Sequence, residues 1–236
     1  MIGSTSLELN GLSVRFGGLQ ALDQLSFSLQ QGEIFGLIGP NGAGKTTLFN
    51  VITGLTAATS GEVRWQGKTT AGLRPDQLCN LGIARTFQNL RVFSDLSCID
   101  NLQIAMGCND RRAALELLAI VDLQEKGTHL AGSLAYGEQR RLELVRALAT
   151  KPQLLLLDEP AAGMNPVEKQ KLQVLLNTIR KQFQLTILII EHHVPLMMKL
   201  CDRLAVLNFG RCIAIGSPRE VQEDPLVIEA YLGRGA

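Results

Sequence analysis

The stretch Gly39-Pro40-Asn41-Gly42-Ala43-Gly44-Lys45-Thr46-Thr47 decides the fold of this 236-residue chain. It matches the pattern GxxxxGK[ST], follows an apolar run at 34–38, and precedes a predicted helix that ends at Gly54. A strand, a glycine-rich loop and a helix in this order predict a phosphate-binding loop. Glycines let successive backbone N–H groups face phosphate oxygens, and the helix N-terminus adds a favourable dipole.

The chemistry of this loop assigns roles to its last residues. Lys45 is predicted to reach the β and γ phosphates of a bound nucleotide, and Thr46 to offer its hydroxyl to Mg²⁺. A phosphate loop alone does not choose among kinases, GTPases and motor ATPases. The choice depends on a second acidic site.

The sequence LLLLDEP supplies that site, because a buried strand at 154–157 ends in Asp158 and Glu159. One carboxylate is expected near the magnesium ion, and the other where it orients and deprotonates an attacking water. The alternative is an acidic pair in solvent. The apolar run at 187–190 likewise ends in Glu191, His192 and His193, where a histidine can touch the γ-phosphate. Taken alone, such a histidine is more often a surface or core residue.

The apolar patterns predict an α/β fold. Three unbroken runs, IFGLI, LLLL and ILII, are typical of parallel strands covered on both faces and are expected to form the central sheet. LELNGLSVRF and LSFSL alternate as half-buried antiparallel strands do. About a hundred residues between the first two runs have helical spacing, as in RRAALELLAIVDL, and indicate a helical lobe inserted into the core.

Composition excludes several classes. A hydrophobic content of 46% suits one compact module. A net charge of +1, with Lys and Arg scattered along the chain, disfavours a nucleic-acid role without excluding it. The five cysteines are odd in number and lack CxxC spacing, which indicates reduced thiols. Neither a leader segment nor a membrane-spanning run is evident, so we expect a cytosolic chain unless something recruits it.

One further motif, LAYGEQRR at 134–141, lies far from the phosphate loop. It is interpreted as a glycine turn that opens a second basic helix at Gln139. On its own it is best explained as a capped surface helix, because nothing local offers it a ligand.

Seven segments in order resemble the motifs of ATP-binding cassette (ABC) ATPase subunits: the phosphate loop, RTFQ, LAYGEQ, LLLLDEP, EPAAGMNP, EHH and GSPREV. The resemblance covers nearly the whole chain. It implies a P-loop NTPase core with a mixed, RecA-like sheet, an antiparallel β subdomain and an inserted α-helical subdomain. Within this single module, 1–236, the antiparallel β subdomain and the first part of the core are expected at 1–88. The helical subdomain is expected at 89–150 and the second part of the core at 151–236.

The resemblance also implies roles at matching positions. Glu159 is expected to be the catalytic base, Asp158 a magnesium residue and His192 the switch histidine. Gln88, in RTFQ, would contact Mg²⁺ and water and link them to a transmembrane partner. The following segment, NLRVF, would line the groove in which that partner docks. Phe16 would stack on the adenine of ATP, for which any aromatic ring is suited.

In such cassettes the LAYGEQ segment contacts ATP held by the opposite subunit of a head-to-tail dimer. The resemblance therefore assigns Ala135, Tyr136, Gly137 and Glu138 to a nucleotide site in trans. Most cassettes have Ser, Gly and Gln at the first, second and fourth of these positions. Glu138 is expected to weaken ATP affinity unless its charge is paired, and His193 stands where relatives usually have an acid.

Several of these segments are similar to those of importers for branched-chain amino acids, related amino acids or urea-type solutes. The implied function is an ATPase subunit that energises uptake of branched-chain or other neutral amino acids. ATP and Mg²⁺ are its expected cofactors. Its expected partners are transmembrane permeases, a second ATPase subunit, identical or paralogous, and indirectly an external solute-binding protein, with no nucleic acid. The chain would sit peripherally at the cytoplasmic face of the inner membrane.

Alternatives differ in solute or in partner. A urea or short-amide importer shares the same motifs. A soluble cassette ATPase acting on ribosomes or DNA usually has two ATPase cores or a long coiled-coil insertion, and this chain has neither. A kinase or GTPase lacks support because no NKxD motif occurs and LAYGEQ would be unexplained.

Overall fold

A computed structural model describes residues 5–232 as two sheets packed with helices. Residues 1–4 and 233–236 lie outside the described residues. They include both ends of the predicted module and the first residues of the segment considered as a possible leader. The strands are β1 (Thr5–Phe16), β2 (Leu19–Gln30), β3 (Ile34–Ile38), β4 (Ser60–Trp65), β5 (Lys68–Thr69), β6 (Ile83–Arg85), β7 (Leu154–Asp158), β8 (Thr186–Ile190), β9 (Arg203–Asn208) and β10 (Arg211–Gly216). The helices are α1 (Lys45–Ile52), α2 (Pro75–Asn80), α3 (Cys98–Met106), α4 (Arg111–Ala119), α5 (Tyr136–Leu148), α6 (Pro166–Phe183), α7 (Val194–Leu200), α8 (Pro218–Glu223) and α9 (Pro225–Leu232).

The central sheet has the order β10-β9-β3-β8-β7-β6 and is mixed, because β10 runs antiparallel to β9 while the other pairs are parallel. The three apolar runs are strands β3, β7 and β8, as predicted. They lie at the centre of the sheet, which β6, β9 and β10 complete at its edges. β6 has only three residues and shows no pattern. β9 and β10 contain the short apolar runs LAVL and CIAI, a signal in the sequence that could have predicted both strands.

The second sheet is antiparallel, with the order β2-β1-β4-β5. Its first two strands match the predicted alternating segments. Strands β4 and β5 lie in the block interpreted as largely helical, and that interpretation is wrong there. Val63 and Trp65 of β4 are buried and pair with Leu9 and Leu7 of β1, which explains why this short segment is extended.

The core lies on both faces of the central sheet. Alternate residues of β8 divide between two clusters: Ile187 and Ile189 pack with the helices, and Leu188 and Ile190 pack toward the antiparallel sheet. All four side chains are almost completely buried, and each contributes about 1.5–3 kcal/mol relative to an exposed position. Coverage on both faces explains the unbroken apolar runs.

Helix α5 begins at Tyr136, so the predicted start at Gln139 is wrong. Ala135 is the last extended residue, and its N–H donates to Glu138 Oε2 at 3.1 Å, which closes the first turn. Gly137 therefore lies inside the helix and does not form a turn. Across residues 5–232, no helix combines the length and apolar character needed to cross a membrane.

Candidate functional site

The predicted site residues gather where neighbouring strands end. Strands β3, β8, β7 and β6 are adjacent and parallel, so their carboxyl ends meet at one edge of the sheet. The phosphate loop follows β3, Glu191 and His192 follow β8, Asp158 and Glu159 end β7, and Gln88 follows β6. Ligand sites of open α/β sheets form at this edge.

The phosphate loop has backbone angles that only glycine adopts easily. Gly39, Gly42 and Gly44 have φ values of +151°, +79° and +103°. A Cβ atom on Gly39 would lie 2.1 Å from the carbonyl oxygen of Leu207, and one on Gly44 would lie 2.6 Å from that of Ala21. The fold therefore requires glycine at both positions, independently of any ligand.

Lys45 is buried at the start of helix α1, and its Nζ donates to the carbonyl oxygens of Gly39 at 2.7 Å and Pro40 at 3.0 Å. Burial lowers the pKa of Lys45, while the negative charges of Glu159 and Asp158 act in the opposite direction. The ammonium thus lies within electrostatic reach of both carboxylates. The next residue, Thr46, is exposed on the first turn of the helix.

Glu159 is the centre of a three-residue cluster. Gln88 Nε2 donates to its Oε2 at 3.1 Å, and His192 Nε2 lies 2.9 Å from its Oε1. Glu159 also has a φ of +51°, an uncommon backbone conformation for a residue other than glycine. Gln88 and His192 lie 71 and 33 positions from Glu159 in the chain, and the fold brings all three residues together.

Two neighbours of this cluster hold its backbone. Glu191 is buried; its Oε1 accepts from Ala161 N at 2.7 Å, and its Oε2 accepts from the backbone N–H groups of His192 and His193. His193 caps helix α7, where its Nδ1 accepts from Leu196 N at 3.1 Å. His193 therefore supplies the acceptor that an acidic residue would supply at an N-cap.

Asp158 forms a buried ion pair that sequence reasoning missed. Its Oδ2 lies 2.7 Å from Arg85 NH2, and the two side chains are only 4% and 5% exposed. Arg85 directly precedes the segment TFQ, but no local pattern signals a partner 73 residues away.

Phe16 lies at the end of β1, and its side chain is 50% exposed. The hairpin that follows it leads into β2, whose Ala21 packs against Gly44 of the phosphate loop. An exposed ring on this side of the loop is compatible with stacking on a planar ligand.

The segment Ala135–Glu138 is separate from the phosphate loop within one chain. Among residues 5–232, no hydrogen bond joins the two segments. Tyr136 is 51% exposed, and a Cβ atom on Gly137 would meet nothing closer than Glu168 Oε1 at 3.9 Å. The chain itself thus imposes no requirement for glycine at position 137.

The carboxylate of Glu138 is paired inside the chain. Lys126 Nζ donates to its Oε1 at 2.6 Å, and Arg141 NH2 lies 3.9 Å from the same oxygen. The hydrogen bond from Lys126 and the N–H of Ala135 lower the pKa of Glu138. The pairing that the sequence left open is therefore present.

Helix α5 is tied to the Gln88 loop through a buried arginine. Arg140 donates from NH1 to the carbonyl oxygen of Phe87 at 2.9 Å. Its NH2 donates to the carbonyl oxygen of Gln88 and to the hydroxyl oxygen of Tyr136. Glu143 lies 3.4 Å from Arg140 and accepts from Arg91 N. The start of α5 and the Gln88 loop are therefore fixed to each other.

Residues 22–162 match the profile of the ABC transporter family. The chain belongs to the ABC transporter family. Residues 211–236 also match a profile described as branched-chain amino acid ATP-binding cassette transporter. The predicted P-loop NTPase fold and the ATPase assignment are thereby confirmed.

Relatives of this cassette align over nearly its whole length. The high-affinity branched-chain amino acid transport ATP-binding protein BraF of Pseudomonas aeruginosa is 40% identical over 96% of this chain and 97% of its own. LivG of Escherichia coli, with the same description, is 41% identical with the same coverage. The ADP conformation of MJ1267, an ATP-binding cassette of an ABC transporter, superposes with a TM-score of 0.90 at 31% identity, covering 98% of this chain and 100% of its own.

Membership in this family has general consequences. ABC cassettes bind nucleotide, the ATP-binding subunits of importers work with transmembrane permease subunits, and dimerisation is typical of cassettes.

Proposed function

We propose that this cassette is the ATP-hydrolysing subunit of an importer for branched-chain or other neutral amino acids. The observation that carries the hydrolytic role is the contact of Gln88 and His192 with the two oxygens of Glu159, beside the buried Lys45. The solute class is supported by the names of BraF and LivG and by the profile matched at residues 211–236.

ATP binding is assigned to the phosphate loop. The backbone N–H groups between Gly39 and Thr47 face the phosphates, Lys45 supplies the positive charge, and the ring of Phe16 stacks on adenine. In this assignment, Lys45 exchanges its two backbone acceptors for phosphate oxygens when nucleotide binds.

The residues present fit a magnesium ion held mainly by the nucleotide. Thr46, Gln88 and Asp158 offer oxygen atoms, which Mg²⁺ prefers, and Thr46 is exposed next to the loop. Within the part of the chain that the structure describes, no cluster of three or more His, Cys, Asp or Glu side chains forms a cage for a metal. Bound Mg²⁺ would neutralise phosphate charge during transfer.

In this proposal, Glu159 orients a water molecule and takes its proton. Gln88 and His192 hold one carboxylate oxygen each, which restricts the rotation of the side chain. Such positioning lowers the barrier because phosphoryl transfer depends mainly on geometry and electrostatic stabilisation. His192 is exposed and can also reach the γ-phosphate from the same edge.

The second half of the site comes from another ATPase subunit. Ala135, Tyr136, Gly137 and Glu138 of that subunit would face the γ-phosphate, with the N-terminus of α5 directed at it. The open surface at Gly137 and the exposure of Tyr136 support contact with another molecule. Because Glu138 is paired with Lys126, its charge is compatible with this placement.

A groove of about 330 Å³ supports docking of a permease segment, which would hold the cassette peripherally at the cytoplasmic face of the membrane. Phe87, Phe93, Ile104 and Ala105 line it, and Arg85 lies in its wall. Phe93 and Ile104 are 47% and 53% exposed, so the groove presents an apolar surface next to the Gln88 loop.

Purification of the tagged chain from membranes, followed by reconstitution into vesicles with the proteins that accompany it, tests this function. We expect integral membrane proteins to copurify, and ATP enclosed with the cassette to drive uptake of labelled leucine when a solute-binding protein is added. Uptake of urea in place of leucine would contradict the solute assignment. Copurification with ribosomes and no membrane protein would contradict the transport role.

A further inference from the structure

Arg85 lies at the end of β6 and contacts several parts of the site at once. Its NH2 donates to Asp158 Oδ2 at 2.7 Å, and its NH1 donates to Asn50 Oδ1 at 2.7 Å. The guanidinium carbon lies 5.3 Å from the ring centre of Phe49 and 4.8 Å from that of Phe87. Arg85 thus joins strand β7 to helix α1, which starts at the phosphate loop.

These contacts fix the orientation of the Asp158 carboxylate. Oδ2 is held by Arg85, and among residues 5–232 no hydrogen bond or ion pair is made by Oδ1. The backbone N–H of Asp158 donates to Thr86 Oγ1 at 3.4 Å, so the residue is held from both main chain and side chain. One oxygen is engaged and the other remains free to act at the edge of the sheet.

Stability alone does not explain this arrangement. Burying an ion pair removes both charges from water, and apolar side chains of similar volume often stabilise a fold equally well. Arg85 Nε is also buried without a hydrogen-bond partner in the described part of the chain, which adds a further cost. Because this contact costs desolvation free energy and is made to a proposed site residue, it indicates a functional role for Arg85.

We propose that Arg85 is a positioning residue, which holds Asp158 so that Oδ1 faces the magnesium ion of bound ATP. The inference rests on the proposed role of Asp158 in magnesium binding. Arg85 touches neither ATP nor the reacting water in this account. It acts by fixing a carboxylate, as the hydrogen-bonded partners of metal-binding residues commonly do.

Positioning and charge neutralisation predict opposite effects on metal affinity. If Arg85 only adds positive charge, its removal makes the surroundings of Asp158 more negative, and a divalent cation binds more tightly. If Arg85 fixes the carboxylate, its removal lets the carboxylate rotate away, and the cation binds more weakly. The sign of the change therefore separates the two roles.

Arg203 offers a matched control at the other end of the sheet. It begins β9, its NH1 lies 3.4 Å from Glu33 Oε1, and its guanidinium carbon lies 5.2 Å from the ring centre of Phe35. It therefore has the same kinds of partner as Arg85, an acid and an aromatic ring, away from the phosphate loop. Arg203→Lys measures the general effect of disturbing such a contact.

The test measures Mn²⁺ binding to the ADP-bound chain by electron paramagnetic resonance, together with ADP affinity in EDTA. For Arg85→Lys and Arg85→Gln we expect Mn²⁺ to bind about tenfold more weakly, with ADP affinity in EDTA unchanged. Asn50→Ala, which removes only one anchor of Arg85, should give a smaller shift of the same sign, and Arg203→Lys none. Thermal unfolding of every variant identifies those that fold.

Each result decides between the proposals. Unchanged or tighter Mn²⁺ binding in folded Arg85→Lys would overturn the positioning role and leave the proposed ATPase site intact. Failure of the wild-type chain to bind Mn²⁺ with ADP would instead contradict the proposed magnesium site itself. If Arg85→Gln does not fold, Arg85→Lys and Asn50→Ala still test the inference.

Discussion

The starts of helices α1 and α5 are both assigned to nucleotide phosphates in the proposed function, but the fold places different requirements on their residues. At α1, Gly39 and Gly44 have positive φ angles and no room for a side chain. At α5, Gly137 is helical and faces open space. The fold requires Gly39 and Gly44, whereas no contact within the described part of the chain requires glycine at position 137.

This difference distinguishes glycines that the fold requires from a glycine on a surface that is open to another molecule. At the first helix start, Lys45 is buried within electrostatic reach of Glu159 and Asp158, so one chain supplies all the residues proposed for that half of the site. At the second helix start Tyr136 is half exposed, and among residues 5–232 no hydrogen bond joins this helix start to the phosphate loop. A glycine that the fold does not need is better explained by contact with a ligand held elsewhere.

The largest effect is expected where the first half-site performs its chemistry. Glu159→Gln keeps the shape of the side chain but removes the base, so we expect hydrolysis to fall by about 10²–10⁴-fold. ATP affinity of the isolated chain should stay near the wild-type value because Lys45 and the loop are unchanged. Phosphate release and ATP titration measure the two quantities.

The control for this prediction is Glu116→Gln, since Glu116 is an exposed acid on α4 paired with Arg112. It should leave both hydrolysis and binding unchanged. Near-normal hydrolysis by the Glu159→Gln variant would overturn the assignment of the base.

Alanine at each helix start tests the comparison through stability. In Gly39→Ala the Cβ clashes with the Leu207 carbonyl, and we expect a loss of about 2–3 kcal/mol in the free energy of unfolding. In Gly137→Ala the site is helical and open, so we expect a gain of about 0.5–1 kcal/mol together with slower hydrolysis. Chemical denaturation gives both free energies.

Higher stability together with slower hydrolysis in Gly137→Ala is the result that supports the contrast between the two helix starts. If Gly137→Ala destabilised the fold as much as Gly39→Ala, the contrast between the two helix starts would be wrong. If Gly137→Ala hydrolysed ATP normally, the proposed contact of Gly137 with the nucleotide of another subunit would be wrong.

The smallest effect concerns the pair of Lys126 with Glu138, which is partly exposed. Lys126→Met should lower stability at neutral pH by about 0.2–1 kcal/mol. The pKa of Glu138 is depressed in the folded chain from an ordinary value of 4.5, so its contribution is present above that value and is lost as pH falls through the folded pKa. The two proteins should therefore converge in stability in acid.

Denaturation curves at neutral and acidic pH measure this convergence, with Arg112→Met as the control. Its ion pair with Glu116 is far more exposed, and we expect no measurable change. A stability difference for Lys126→Met that grows as pH falls would contradict the sign assigned to Glu138.

The sequence predicts those parts of the fold that local patterns determine. Continuous apolar runs identify β3, β7 and β8 because these strands are covered on both faces. The strands β6 and β5 are too short to show any periodicity, and they form because neighbouring strands offer them hydrogen bonds. The family resemblance then supplies the roles that no local pattern carries.

The site shows the same division. Gln88, Glu159 and His192 were each marked by a motif, and the structure brings them into contact. Arg85 and Lys126 were missed, because an ion pair between residues 73 or 12 positions apart leaves no trace in local spacing. Such contacts follow from the packing of strands and helices and become visible only in three dimensions.

The most direct test of the divided site compares Lys45→Ala with Gly137→Asp in two assays, ATP binding by the isolated chain and hydrolysis by the assembled ATPase. Lys45→Ala should lose both ATP binding and hydrolysis, since it removes the positive charge that would contact the phosphates in the chain's own half of the site. Gly137→Asp should lose hydrolysis while binding ATP with wild-type affinity, because in the proposed dimer that glycine would face the nucleotide of another subunit. Loss of ATP binding by the isolated Gly137→Asp chain would contradict the account.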